Sequence, residues 1–95
     1  MKVNLNFAIK DFQGKDIIEN GNRVSAEDMC FKCLMAVYEE DRSLTGEQKY
    51  SLYKIGNKLE KDEDFTIEEL ATLKERVSRL NPLVVGQIWD ALEGK

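Results

Sequence analysis

No histidine occurs among the 95 residues. Its absence removes the commonest general base and metal ligand and rules out any Ser–His or Cys–His nucleophile pair within the chain. Proline occurs once, and 42% hydrophobic with 34% charged residues is the balance of a folding globular chain, not of a disordered or collagenous one. Basic charge is in deficit: 14 Lys and Arg against 18 Asp and Glu leave a net charge of −4, which disfavours general binding to nucleic acid or an anionic membrane. Most of the acid excess comes from residues 25–64. No window approaches the roughly 18 uninterrupted apolar residues of a membrane-spanning helix. The opening Met1-Lys2-Val3-Asn4-Leu5-Asn6-Phe7 alternates polar and apolar residues and lacks the apolar stretch of a signal peptide. The expectation is a cytoplasmic protein with no membrane association, whose two cysteines stay reduced.

One domain, residues 1–95, fits this length. Val3, Leu5, Phe7 and Ile9 fall on one side of an extended segment, and the turn Asp11-Phe12-Gln13-Gly14-Lys15, with Gly14 able to take a positive φ, returns the chain through Asp16–Glu19 as a second strand. Asn20-Gly21-Asn22 reads as a break. The expectation is a β-hairpin within 1–20 and a helical part over 25–94.

Four helix starts follow, each a cap with the residues that complete it. Ser25 precedes Asp28 by three positions, Thr45 precedes Gln48 and Thr66 precedes Glu69, while Asn81 is followed by Pro82. Helices are predicted over 26–40, 46–60, 67–80 and 82–93. The second, third and fourth carry one apolar face each: Leu52, Ile55 and Leu59; Leu70, Leu73, Val77 and Leu80; Val84, Val85, Ile88, Trp89 and Leu92. The first carries Met29, Cys30, Phe31, Cys33, Leu34, Met35, Val37 and Tyr38 around almost its whole circumference. That pattern predicts a central, enclosed helix, any uncovered side of which becomes an interface. The fold expected is α+β, an N-terminal hairpin packed on a cluster of four α-helices.

Candidate sites are few. Cys30-Phe31-Lys32-Cys33 has redox or half-zinc spacing, but it lies a turn inside a helix and lacks two further ligands, so two buried thiols are expected. Glu39, Glu40 and Asp41 and then Asp62, Glu63 and Asp64 form two acidic clusters in interhelical loops; the second lacks the glycine and distal glutamate of a calcium loop. Tyr50, Lys54, Lys58 and Lys61 make a stripe that could bind an anion, although Glu47 and the 62–64 cluster lie close by. The last two helices superficially resemble a helix-turn-helix, yet the reading helix has no basic residue before Lys95. Leu83, Gly86, Gln87 and Asp90 share the outer side of the last helix. The glycine there suggests close packing, either at an internal helix crossing or against a partner. No catalytic constellation, cofactor motif or metal site is legible, and the chain is expected not to be an enzyme.

Asn4-Leu5-Asn6-Phe7 through Lys10-Asp11-Phe12-Gln13-Gly14-Lys15, Leu44-Thr45-Gly46-Glu47-Gln48-Lys49-Tyr50, Phe65-Thr66-Ile67-Glu68-Glu69 and above all Pro82-Leu83-Val84-Val85-Gly86-Gln87-Ile88-Trp89 resemble small proteins encoded by tailed bacteriophages and prophages. The resemblance covers nearly the whole chain and rests on turn, cap and final-helix motifs. It implies a viral origin and a place in the host cytoplasm, and it carries no functional residues over. The leading expectation is a phage accessory protein that binds a phage or host protein, in assembly or host takeover, with homo-oligomerisation through surplus apolar surface on the first helix. The alternatives are an acidic anti-defence inhibitor that imitates nucleic acid, which needs both acidic clusters on one surface, and a small DNA-binding regulator acting through Lys54, Lys58 and Lys61.

Overall fold

In the computed structural model the residues described are 2–36, 38 and 42–94. Helix starts follow the cap chemistry. The helices are α1 (Ala26–Met35), α2 (Gly46–Lys61), α3 (Ile67–Val77) and α4 (Pro82–Leu92). Thr45 with Gln48 and Thr66 with Glu69 form reciprocal capping boxes, in which each threonine hydroxyl accepts the third amide and each long side chain accepts the amide of its threonine. Ser25 accepts the Asp28 amide and Asn81 the Val84 amide, with Pro82 opening α4. α2 ends on Asp62 in the left-handed region (φ 56°), where the Glu63 amide reaches back to the Lys58 carbonyl and the Asp62 amide to that of Leu59.

The N-terminal region differs in detail from the expected hairpin. The paired strands are β1 (Ile18–Glu19) and β2 (Asn22–Arg23), antiparallel, with Glu19 opposite Asn22 and Ile18 opposite Arg23. Asn20 (φ 51°) and Gly21 (φ 80°) supply the two positive φ angles of a tight two-residue loop, so Asn20-Gly21 is a hairpin turn and not a break. The expected turn at 11–15 is also present. Gly14 takes φ 85°, and the Asp11 carboxylate accepts the amides of Gln13 and Lys15. The first extended segment joins by single bridges, Lys10 opposite Asp16 and Ala8 opposite Ser25. Three stretches of backbone meet at Ile9. Its amide donates to the Val24 carbonyl at 2.7 Å, its carbonyl accepts from Ile17 at 3.0 Å, and the Ile17 carbonyl accepts from Val24 at 3.1 Å. The Ile9 side chain is fully buried and Leu5 nearly so, as the alternation predicted. Outside them, Asp16 receives Lys10 and Arg23. The hydrogen bond from Lys10, aided by both charges and opposed only in part by burial, holds the Asp16 carboxyl below the usual aspartate value.

α1 packs against α2 and α3, and α3 against α4. One core joins Leu5, Ile9, Ala26, Cys30, Cys33, Leu34, Ile55, Leu59, Phe65, Leu70, Leu73, Val77, Val84, Ile88 and Leu92, so the hairpin region and all four helices share it. α1 is central among the helices but not enclosed. Asp28, Lys32 and Met35, at i, i+4 and i+7, form a wet strip, and Met35 is 81% exposed. The helix also stops at Met35 instead of near residue 40, because Ala36 turns extended (ψ 144°). A single side chain donates to two carbonyls at this stop. Arg76 of α3, only 4% exposed, donates from Nε and a terminal nitrogen to the Cys33 carbonyl at 3.1 and 3.0 Å and from the same terminal nitrogen to the Ala36 carbonyl at 2.6 Å. Its guanidinium lies 4.6 Å from the centre of the Tyr38 ring, and Arg79 lies 4.7 Å from it. Charged donors directed at helix C-terminal carbonyls also meet the negative end of the helix dipole. Replacing Arg76 by methionine leaves buried carbonyls without their donor and is expected to cost about 3 kcal/mol in urea unfolding, with Arg76→Lys failing to restore the loss. Stability within 0.5 kcal/mol of the parent, on the order of surface substitutions, would remove this role.

Lys58 and Glu69 join α2 to the start of α3 at 2.7 Å, both mostly covered. Burial pushes the Glu69 carboxyl up, but hydrogen bonds from Lys58 and Thr66 outweigh it, and the net shift is downward. A depressed folded-state value means that the contribution is complete above the ordinary glutamate range and is lost as the pH falls through the folded value. Glu69→Gln keeps the capping geometry and removes the charge. It should cost about 1 kcal/mol at pH 7 and make unfolding midpoints less sensitive to acid as the pH falls through and below the ordinary glutamate range. Identical acid sensitivity in the two proteins would contradict this assignment.

Candidate functional site

A concavity of about 730 Å³ lies between α1 and α2. Phe31, Leu34 and Met35 form the α1 wall, and Leu52, Tyr53 and Gly56 the α2 wall. Leu44 closes the end nearest the connecting segment, beside Arg42 and Lys49, and Glu60 stands at the other end. Met35 at 81% and Tyr53 at 62% exposure border a mainly apolar trough. Tyr53 stacks on Tyr50, with ring centres 6.0 Å apart and planes at 21°, and the Lys54 ammonium sits 5.0 Å from the Tyr50 ring.

The groove can bind an apolar object through shape and van der Waals contact. Arg42, Lys49, Glu60 and Arg76 are the charged members of its lining, and Arg76 is committed to the carbonyls of Cys33 and Ala36. No group of three or more Cys, Asp or Glu among the described residues could hold a metal ion. Cys30 and Cys33 are both free and buried beneath the α1 wall. Burial, with a smaller contribution from Cys33, pushes the Cys30 thiol up to about 12, and burial also raises Cys33. No helix of the described residues is long and apolar enough to cross a membrane.

The residues singled out in the sequence do not form one site. On α4, Gln87 faces inward to the N-terminal segment. Its side-chain oxygen accepts the Lys10 amide at 2.9 Å and its nitrogen donates to the Lys10 carbonyl at 2.6 Å, which makes it a fastener of the fold. Leu83 is half-buried, while Gly86 and Asp90 are exposed. A Cβ built on Gly86 meets nothing within 4 Å, so the internal helix crossing expected there is absent. In the basic stripe, Tyr50, Lys54 and Lys61 are exposed, but Lys58 is held by Glu69. Asp62, Glu63 and Asp64 are exposed after α2 as a solvated loop, whereas Glu39, Glu40 and Asp41 lie outside the described residues. Sequence reading missed Arg76, although a basic residue one turn from Leu73 and Leu80 inside an apolar stripe is a visible signal of a buried partner. It also missed Tyr53 and Gly56, which lie beside the stripe of α2 and not on it.

Comparison with family models, with curated proteins and with solved structures returns no match for this chain.

Open space around Gly86 makes a direct test of that position. Gly86→Ala should stabilise the isolated protein by about 1 kcal/mol in thermal or urea unfolding, since only the helix cost of glycine is removed. A destabilised variant would mean that the fold does need a close approach at this helix.

Proposed function

We propose that the chain is a non-enzymatic accessory protein of a tailed bacteriophage or prophage that acts in the host cytoplasm by binding a phage or host protein through the groove between α1 and α2. The observation that carries the reading is Met35, 81% exposed at the last position of α1 beside an apolar trough and the exposed Tyr53. Large apolar side chains grouped on one wet surface lower their free energy when a partner covers them, and methionine adapts its shape to the surface it meets. The surplus apolar character of the first helix, legible in its sequence, supports the same reading, as does the resemblance to phage-encoded proteins. A host-takeover or assembly role needs no more than this surface.

Met35→Glu tests the groove without touching the core. The variant should keep its helical circular dichroism and lose no more than about 1 kcal/mol of stability, because the side chain is already in water and the added charge meets only the negative end of the helix dipole. In capture from phage-infected cells read by mass spectrometry, a protein enriched on the parent chain should be lost on the variant. Matching capture profiles for the two chains, or no protein enriched above bare resin, would overturn the proposal.

A further inference from the structure

We infer that a second copy of this chain occupies the groove, its α2 lying antiparallel on the first across a two-fold axis; this rests on the groove being a protein-binding surface. On α2, Lys49, Tyr53, Gly56 and Glu60 are spaced i, i+4, i+7 and i+11 and share one side of the helix, the side that walls the groove. Reversal of this strip against itself pairs each large or charged member with its complement. In the register that sets Lys49 opposite Glu60 of the second copy, Tyr53 falls opposite Gly56, and Leu52 falls opposite Asn57. A two-fold interface requires such self-complementarity, because every contact occurs twice with the partners exchanged.

Four features of the free chain find a use in this pairing. Gly56 weakens the middle of a 16-residue helix, although a Cβ there meets only Leu34 Cδ1 at 3.9 Å, which is ordinary contact. The hollow left by Gly56 gives room for the Tyr53 ring of the other copy, which otherwise stands 62% exposed. Lys49 and Glu60 are both exposed and neither makes an ion pair among the described residues. Met35, on the opposite wall of the groove, is covered by the incoming helix. Lys49 and Glu60 are roughly 16 Å apart along the axis, about three turns. A contact of that length lies at the small end of specific interfaces and gives a weak, reversible pair. Because self-pairing fills the groove, it competes with any other protein that binds there.

Sedimentation equilibrium of the full chain from about 10 μM to about 1 mM provides the test, with a dissociation constant expected in the range of about 10–100 μM. Lys49→Glu and Glu60→Lys, each of which sets like charges opposite one another twice, should weaken pairing by about tenfold. The double variant Lys49→Glu with Glu60→Lys restores both attractions and should return to within about threefold of the parent. Tyr53→Ala should weaken pairing with no loss of helical circular dichroism. A one-chain mass at the highest concentration would overturn the inference, and so would a dimer indifferent to the single charge reversals. Neither result would touch the binding of another protein through the groove, which Met35→Glu reads separately.

Discussion

A guanidinium buried inside a 95-residue protein is tolerable only where carbonyl oxygens replace the water it has lost. Arg76 meets that condition at the end of α1, and meeting it fixes much else. With α1 ended at Met35, the carbonyls of Cys33 and Ala36 take their donor from α3, which ties the two helices together there. Met35 ends the helix 81% exposed and borders the trough beside α2. Arg76 also lines the groove on which the functional reading rests, so one buried charge belongs to both the core and the trough.

The N-terminal region is held by the same device at the other end of the molecule. A two-stranded hairpin of two residues a side has little stability by itself. Here the Ile9 backbone is shared by the stretches around Ile17 and Val24, while the Gln87 carboxamide imitates a neighbouring strand against Lys10. Residues 77 positions apart are joined in this way, and α4 becomes the support of the strand region. Arg76 spans 43 positions to Cys33. Both fasteners join a polar side chain to distant backbone, which ties local structure at the two ends of the chain to one cooperative core.

Signals carried by neighbours in the chain were readable from sequence, and signals that depend on distant partners were not. Ser25, Thr45, Thr66 and Asn81 announced four helix starts because a cap and the amide it satisfies are three residues apart. The burial of Leu5 and Ile9, the positive φ of Gly14 and the α+β class followed from period and turn chemistry in the same way. The end of α1 was invisible, since no glycine or proline marks it and the side chain that meets its carbonyls lies on another helix. Asn20-Gly21 was legible and misread, for that dipeptide favours a tight hairpin over a simple break. Gln87 and Lys58, plausible surface groups in the sequence, turned out to have partners on other elements. The groove was half legible. The apolar surplus of the first helix pointed to an exposed side, but the wall facing it, Tyr53 and Gly56, had no local signal.

The two thiols of α1 give the folded chain a chemical clock. Cys30 and Cys33 are sealed under the helix, and with the Cys30 thiol pushed up to about 12 almost none of it is ionised near neutrality. An alkylating or oxidising reagent must wait for the core around α1 to open before it meets a reactive sulfur. The speed at which these cysteines are consumed therefore counts openings of the interior.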